Sequence, residues 1–73
     1  MDMQPVKSSN IHSIGYDEPS KTMRVKYHTG DTYQFHNVPP DAHEAFANAS
    51  SPGAHFAMYM RGRYPSKNLG HGQ

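Results

Sequence analysis

The feature that most constrains this chain is a change of period. Between Thr22 and His36 apolar residues recur at every second position, and from Asp41 onward they recur at intervals of three and four. A period of two builds strands, and a period near 3.6 builds helices. In Thr22–Tyr27, Met23, Val25 and Tyr27 share one face, and Thr22, Arg24 and Lys26 share the other. Thr32–His36 repeats the alternation with Tyr33 and Phe35 inward. His28-Thr29-Gly30-Asp31 between them reads as a four-residue hairpin loop, with Gly30 free to take a positive φ. Upstream, Asn10–Asp17 sets Ile14 and Tyr16 on one side. Gly15 between them marks a bulge or the close approach of another backbone. Asp17-Glu18-Pro19-Ser20-Lys21 then supplies a turn.

The sheet should end at Val38-Pro39-Pro40, because proline cannot donate to a ladder. Asp41 and Glu44 have capping-box spacing, so a helix is expected to start at Asp41. Its apolar stripe is Ala42, Ala45, Phe46 and Ala49. Ser51-Pro52 is a second helix start, followed by Phe56, Tyr59 and Met60 at helical spacing and ended by Gly62. The expected architecture is α+β: a three-stranded antiparallel β-meander packed on one face by one or two short C-terminal helices. The expected core is Ile14, Tyr16, Met23, Val25, Tyr33, Phe35, Phe46, Phe56 and Met60. Residues 10–65 form this single domain. Residues 1–9 and 66–73 are polar and unpatterned, and are read as a flexible N-terminal arm and a flexible C-terminal tail.

With 73 residues, 34% of them hydrophobic, the chain can build one thin core and has little room for a buried catalytic cavity. It has no cysteine, which excludes disulfides and thiolate metal sites. No apolar run approaches the roughly 20 residues that span a bilayer, and Met1–Asn10 lacks the apolar stretch of a secretory signal. The expected location is the cytoplasm. Seven Lys and Arg against six Asp and Glu leave +1, too little for nucleic-acid binding by bulk charge.

Neither metal nor catalytic spacing is present. The histidines, His12, His28, His36, His43, His55 and His71, form no HxxxH or HxH pair, although a cross-strand pair such as His12 with His36 is geometrically open. No glycine-framed serine elbow or phosphate loop occurs. The chain is therefore read as a non-enzymatic binding module without metal or cofactor, and as a monomer.

Two cationic groups are the candidate contacts. Arg61, Arg63 and Tyr64 lie in Met58-Tyr59-Met60-Arg61-Gly62-Arg63-Tyr64-Pro65, and from Ala54 to the end there are three cations and no acid. Arginine beside tyrosine suits phosphate contacts, base stacking and protein hot spots. The same arginines could instead cap helix carbonyls or pair with Asp17 or Asp41. Arg24 and Lys26, on the wet face of the meander with Gln34 and His36, form the second group.

Ser9-Asn10-Ile11-His12-Ser13-Ile14-Gly15-Tyr16-Asp17, then Tyr33-Gln34-Phe35, Asn37-Val38-Pro39 and Arg61-Gly62-Arg63-Tyr64-Pro65 together resemble the KTSC domain, over about residues 8–65. That family takes its name from the C-terminus of some lysyl-tRNA synthetases. Its central Tyr-x-Tyr element stands here as Tyr33 and Phe35, one hydroxyl short. The family has no settled activity, and RNA binding has been suggested for it. Length and organisation are also similar to small bacteriophage proteins that bind host RNA polymerase. That likeness implies a transcription regulator that inhibits initiation and promotes antitermination, with bacterial RNA polymerase as its partner in the host cytoplasm. A stand-alone RNA-binding domain is the alternative.

Overall fold

The computed structural model describes residues 1–71. Its sheet has five antiparallel strands in sequential order, not three. They are β1 (Gln4–Pro5), β2 (Ile11–Asp17), β3 (Thr22–Tyr27), β4 (Asp31–Phe35) and β5 (Ser66–His71). The expected meander is the central β2-β3-β4 unit. The added strands come from the two terminal segments read as arms; the last two residues of the second, Gly72 and Gln73, lie outside the described residues. Edge strands hold on through backbone hydrogen bonds and bury few side chains, so they leave no apolar alternation to read. Pro5 is tolerated because an edge strand has a side that needs no donor.

Between β4 and β5 the chain crosses one face of the sheet as helix α1 (Pro40–Ala47), helix α2 (Pro52–His55) and one π turn (Phe56–Met60). Helix α1 starts one residue before the expected Asp41. Pro39 is its N-cap, Pro40 is at its first position, and no side chain caps it. Asp41 instead sits in the first turn, where its charge suits the helix dipole. Ser51 and Pro52 start α2 as read, again without a side-chain cap bond. In the π turn the Arg61 N–H donates to the Phe56 carbonyl at 2.8 Å. Gly62 follows with φ 75°, the left-handed geometry that lets the chain turn back toward β5.

The core consists of Ile11, Ile14, Met23, Val25, Phe35, Val38, Phe46 and Met60. Ile11 and Val38 join the expected set. Tyr16, Tyr33 and Phe56 pack against it only partly buried. The stripe on α1 is rotated from the expected one: Ala45 is exposed, while Ala42, Phe46 and Ala47 face inward. Phe46 is fully buried and is the main anchor of the helical layer, worth about 2–3 kcal/mol of transfer free energy.

The register defines two faces. Ile14–Val25–Tyr33 and Tyr16–Met23 point to the helices. Gly15–Arg24–Gln34–Lys67 and Ser13–Lys26–Thr32 lie in rows on the opposite face. Gly15 proves to be a site of close approach. A Cβ there would meet Met3 Sδ at 2.7 Å and the Asp2 carbonyl oxygen at 3.0 Å. The irregularity in β2 falls elsewhere, between Ile11 and Ser13.

Among the described residues no helix is long and apolar enough to cross a membrane.

Candidate functional site

The short helices cover only part of the inner face. Where they stop, toward the end of the sheet that carries Tyr27 and Tyr33, a cleft of about 480 Å³ remains open. Its walls are Tyr27, Tyr33, Phe35 and Phe56, with Arg61 at the rim and Asn10 and Ser66 contributing polar edges.

Each wall has a local cause. Tyr27 and Tyr33 belong to the two strands of one hairpin and meet edge to face, with centroids 5.8 Å apart. Phe35, two residues beyond Tyr33 on the same face, packs at 5.3 Å against Phe56. Phe56 is carried there by the π turn. The wide turn also swings Arg61 to the mouth of the cleft, a π geometry that recurs at functional sites.

The cleft has its own electrostatics. Burial raises the Tyr27 phenol pKa above its ordinary value, the neighbouring Tyr33 adds to the rise, and the Arg61 charge opposes it. Tyr27 therefore stays protonated near neutrality, keeping its hydroxyl as a hydrogen-bond donor. Among the described residues lining the cleft, the titratable ones are Tyr27, Tyr33 and Arg61. Such a site offers aromatic faces, a few hydrogen-bonding edges and one cation. Those groups bind flat, anionic or electron-rich ligands.

A second depression of about 410 Å³ adjoins the cleft across Asn10, Tyr27 and Tyr33, and adds His28, Thr29 and Asp31. Ser8 organises this rim: its Oγ accepts from the N–H groups of Asn10 and Ile11, and its carbonyl contacts the His28 ring. His28 in turn meets His12 edge on at 5.5 Å. It is thus His28, not His36, that comes beside His12.

The residues singled out from the sequence separate in space. Arg61 lines the cleft. Arg63 is exposed, and Tyr64 is half-buried against the core. Arg24 and Lys26 lie on the far face of the sheet, where Arg24 Nε donates to Gln34 Oε1 at 2.8 Å. Sequence reasoning places Tyr33, Phe35 and Phe56 in the core and misses them as cleft walls, together with Tyr27 and Asn10. The missing information is how far the helices reach across the sheet, and no pattern within the strands records it. The one available signal is that three aromatics, Tyr27, Tyr33 and Phe35, share a strand face whose covering helices are short and rich in alanine.

The KTSC domain model matches residues 7–64. The chain is 29% identical over 63 residues to a lysine–tRNA ligase of Nostoc punctiforme, spanning 86% of this chain but only 11% of that enzyme. It is 35% identical over 56 residues to an uncharacterized protein of Stutzerimonas stutzeri, covering 77% of this chain and 79% of the relative. Among solved structures it is similar to a KTSC domain protein from Yersinia pestis, with a TM-score of 0.90 and 36% identity over 94% of this chain and 97% of the other. Six of the cleft's lining residues, Asn10, Ile11, Tyr33, Phe35, Arg61 and Gly62, come from three of the segments on which the resemblance rests, while the walls Tyr27 and Phe56 lie outside them.

Proposed function

The chain belongs to the KTSC domain family, and from that premise we propose that it is a non-catalytic domain that binds single-stranded RNA. One base sits in the aromatic cleft, and Arg61 meets the adjoining phosphate. The observation that carries this reading is the cleft itself, four aromatic side chains on one side of a sheet with a guanidinium at the rim. Base stacking on aromatic side chains is worth about 1–3 kcal/mol per base. It does not require the high net charge this chain lacks, because the cation is local. Support also comes from the relatives: similar sequence forms 11% of an enzyme named for tRNA, a setting in which an accessory domain would meet RNA.

The test is fluorescence anisotropy of a labelled oligouridylate against the intact chain and two variants. Arg61→Gln changes an exposed residue and should leave the fold intact. Tyr33→Leu keeps an apolar wall but removes a stacking face. Both should weaken binding at least several-fold, with thermal melts close to wild type. Docking on bacterial RNA polymerase, with inhibition of initiation and antitermination, is the contrasting outcome. In that case the oligonucleotide fails to bind, and polymerase subunits are retained from nuclease-treated lysate. That pair of results would overturn the RNA reading.

A further inference from the structure

We infer that the outer face of the sheet is a second phosphate-binding surface, centred on Arg24 and Lys67, for the backbone of the same RNA strand; this rests on the RNA reading of the cleft.

Arg24 and Lys67 flank Gln34 in one cross-strand row, and Lys26 stands in the next row on β3. Neither row contains a carboxylate among the residues placed by the register. Three of the chain's seven cations thus share a face on which the register places one carboxylate, Asp17 opposite Thr22, although the chain as a whole carries only +1. Neighbouring strands lie about 4.8 Å apart, so Arg24 and Lys67 are about 10 Å apart at the backbone. A chain of repeating single charges spans such a row better than one compact anion does.

Gln34 accepts from Arg24 Nε, which holds the guanidinium across the sheet surface. A guanidinium held in this way presents its terminal amino groups as a fork, the geometry that suits phosphate oxygens.

Arg24 and Lys67 border a depression of about 610 Å³ whose other walls include Met1, Met3 and Leu69. Thioether and aliphatic walls accept the apolar faces of sugar and base beside a phosphate. Gly15, in the same row as Arg24, lets the N-terminal segment lie close enough to supply the methionine wall.

The cleft and the outer face are continuous around β5. Ser66 lines the cleft, and Lys67, the next residue along β5, lies on the other face. The two surfaces are separated only by this edge strand. A strand of RNA leaving Arg61 crosses β5 and meets Lys67 and then Arg24.

The experiment is an amide chemical-shift titration of the isotope-labelled chain with sodium tripolyphosphate, which has phosphates and no bases, and then with oligouridylate. Salt-dependent binding of the oligouridylate is measured beside it for wild type and the R24Q/K67Q double variant. Tripolyphosphate should shift Arg24, Gln34 and Lys67 ahead of Lys7, Lys21 and Arg63. The double variant should lower the slope of log K against log salt by about 0.7 for each phosphate that is no longer neutralised. Shifts spread evenly over all cations, or an unchanged slope, overturn the proposal. The arms also separate the two readings. Outer-face shifts with tripolyphosphate but no Tyr27 or Tyr33 shift with oligouridylate sink the cleft reading, and with it RNA as the occupant of the outer face. Cleft shifts without outer-face shifts sink only the second site.

Discussion

The Tyr16 hydroxyl donates to the Val38 carbonyl oxygen at 2.5 Å. It thereby ties strand β2 to the segment where the chain leaves the sheet, 22 residues later. Val38 is fully buried, and its own N–H donates to the Lys21 carbonyl at 2.9 Å. The exit from β4 is therefore held from two sides before the prolines begin. Tyr16→Phe keeps the ring and leaves the Val38 carbonyl without this donor. We expect a loss of about 1 kcal/mol, read as a lower urea midpoint with unchanged slope. The bond also needs the phenol proton. Burial, then Glu18, Asp41 and Asp17, raise the Tyr16 pKa above 10.0. Its contribution is thus fully present below pH 10.0 and lost as pH rises through the raised value. The gap between wild type and Tyr16→Phe should close at strongly alkaline pH.

Acid acts through the residue stacked on that same ring. His43 lies parallel to Tyr16, with centroids 4.3 Å apart. Burial lowers its pKa below 6.5, against a smaller opposing pull from Glu44. The folded state therefore prefers the neutral imidazole. This contribution is present above pH 6.5 and lost as pH falls through the depressed value. His43→Phe keeps a flat ring and removes the titration. Thermal melts from pH 7.5 down to 5 should fall less steeply for the variant than for wild type. Parallel curves would show that His43 is not responsible.

Phe46 is fully buried and touches the Phe56 and His55 rings, with centroids 5.8 and 6.2 Å away. Phe46→Ala should cost about 3–5 kcal/mol, much of the stability available to so small a domain. Phe46→Leu should cost clearly less. Circular dichroism melts of the two variants rank them. Equal losses would place the anchor of the helical layer elsewhere.

Gly15 leaves no room for a side chain beneath the N-terminal segment. An alanine Cβ would fall 3.0 Å from the Asp2 carbonyl oxygen, a backbone atom, as well as 2.7 Å from Met3 Sδ. The segment must move, which loosens the pairing of Gln4 with Ile14. Gly15→Ala should speed tryptic cleavage after Lys7 and leave the central strands protected from hydrogen exchange. In a chain lacking residues 1–3 the same substitution should be nearly neutral. A cost that persists there would mean that the strain lies within β2.

The central hairpin is legible because its two strands face different media on their two sides, so each residue records its side. Strand β3 begins and ends at Thr22 and Tyr27, as the alternation indicates, and Met23 and Val25 are fully buried. Strand β5 is not legible. Ser66-Lys67-Asn68-Leu69-Gly70 has no apolar period, because its pairing with β4 is made by the backbone, which every residue has. The helix start at Asp41 misleads for a different reason: Pro40 already supplies a preset φ at the first position, so no capping side chain is required.

The site is legible in part. Arg61 stands out as a cation beside a glycine, and it lines the cleft. Tyr33 and Phe35 stand out as core residues, which is what their alternation encodes. Arg24 and Lys26 lie on the wet face, as their alternation indicates, and Lys67, in the segment read as a tail, completes that cationic group.

The sequence by itself determined the two periods, the turns between them and the sidedness of β3, β4 and the Ile14–Tyr16 part of β2, because these are local consequences of side-chain chemistry and backbone freedom; the irregularity that turns Ile11 into the core was not among them. Only the tertiary structure decided which inward aromatics stay open to solvent. That depends on the length and position of the helical layer: α2 has four residues and passes into a π turn, so the layer stops short of Tyr27 and Tyr33. The same aromatic face that would be ordinary core under a longer helix becomes a cleft under a short one.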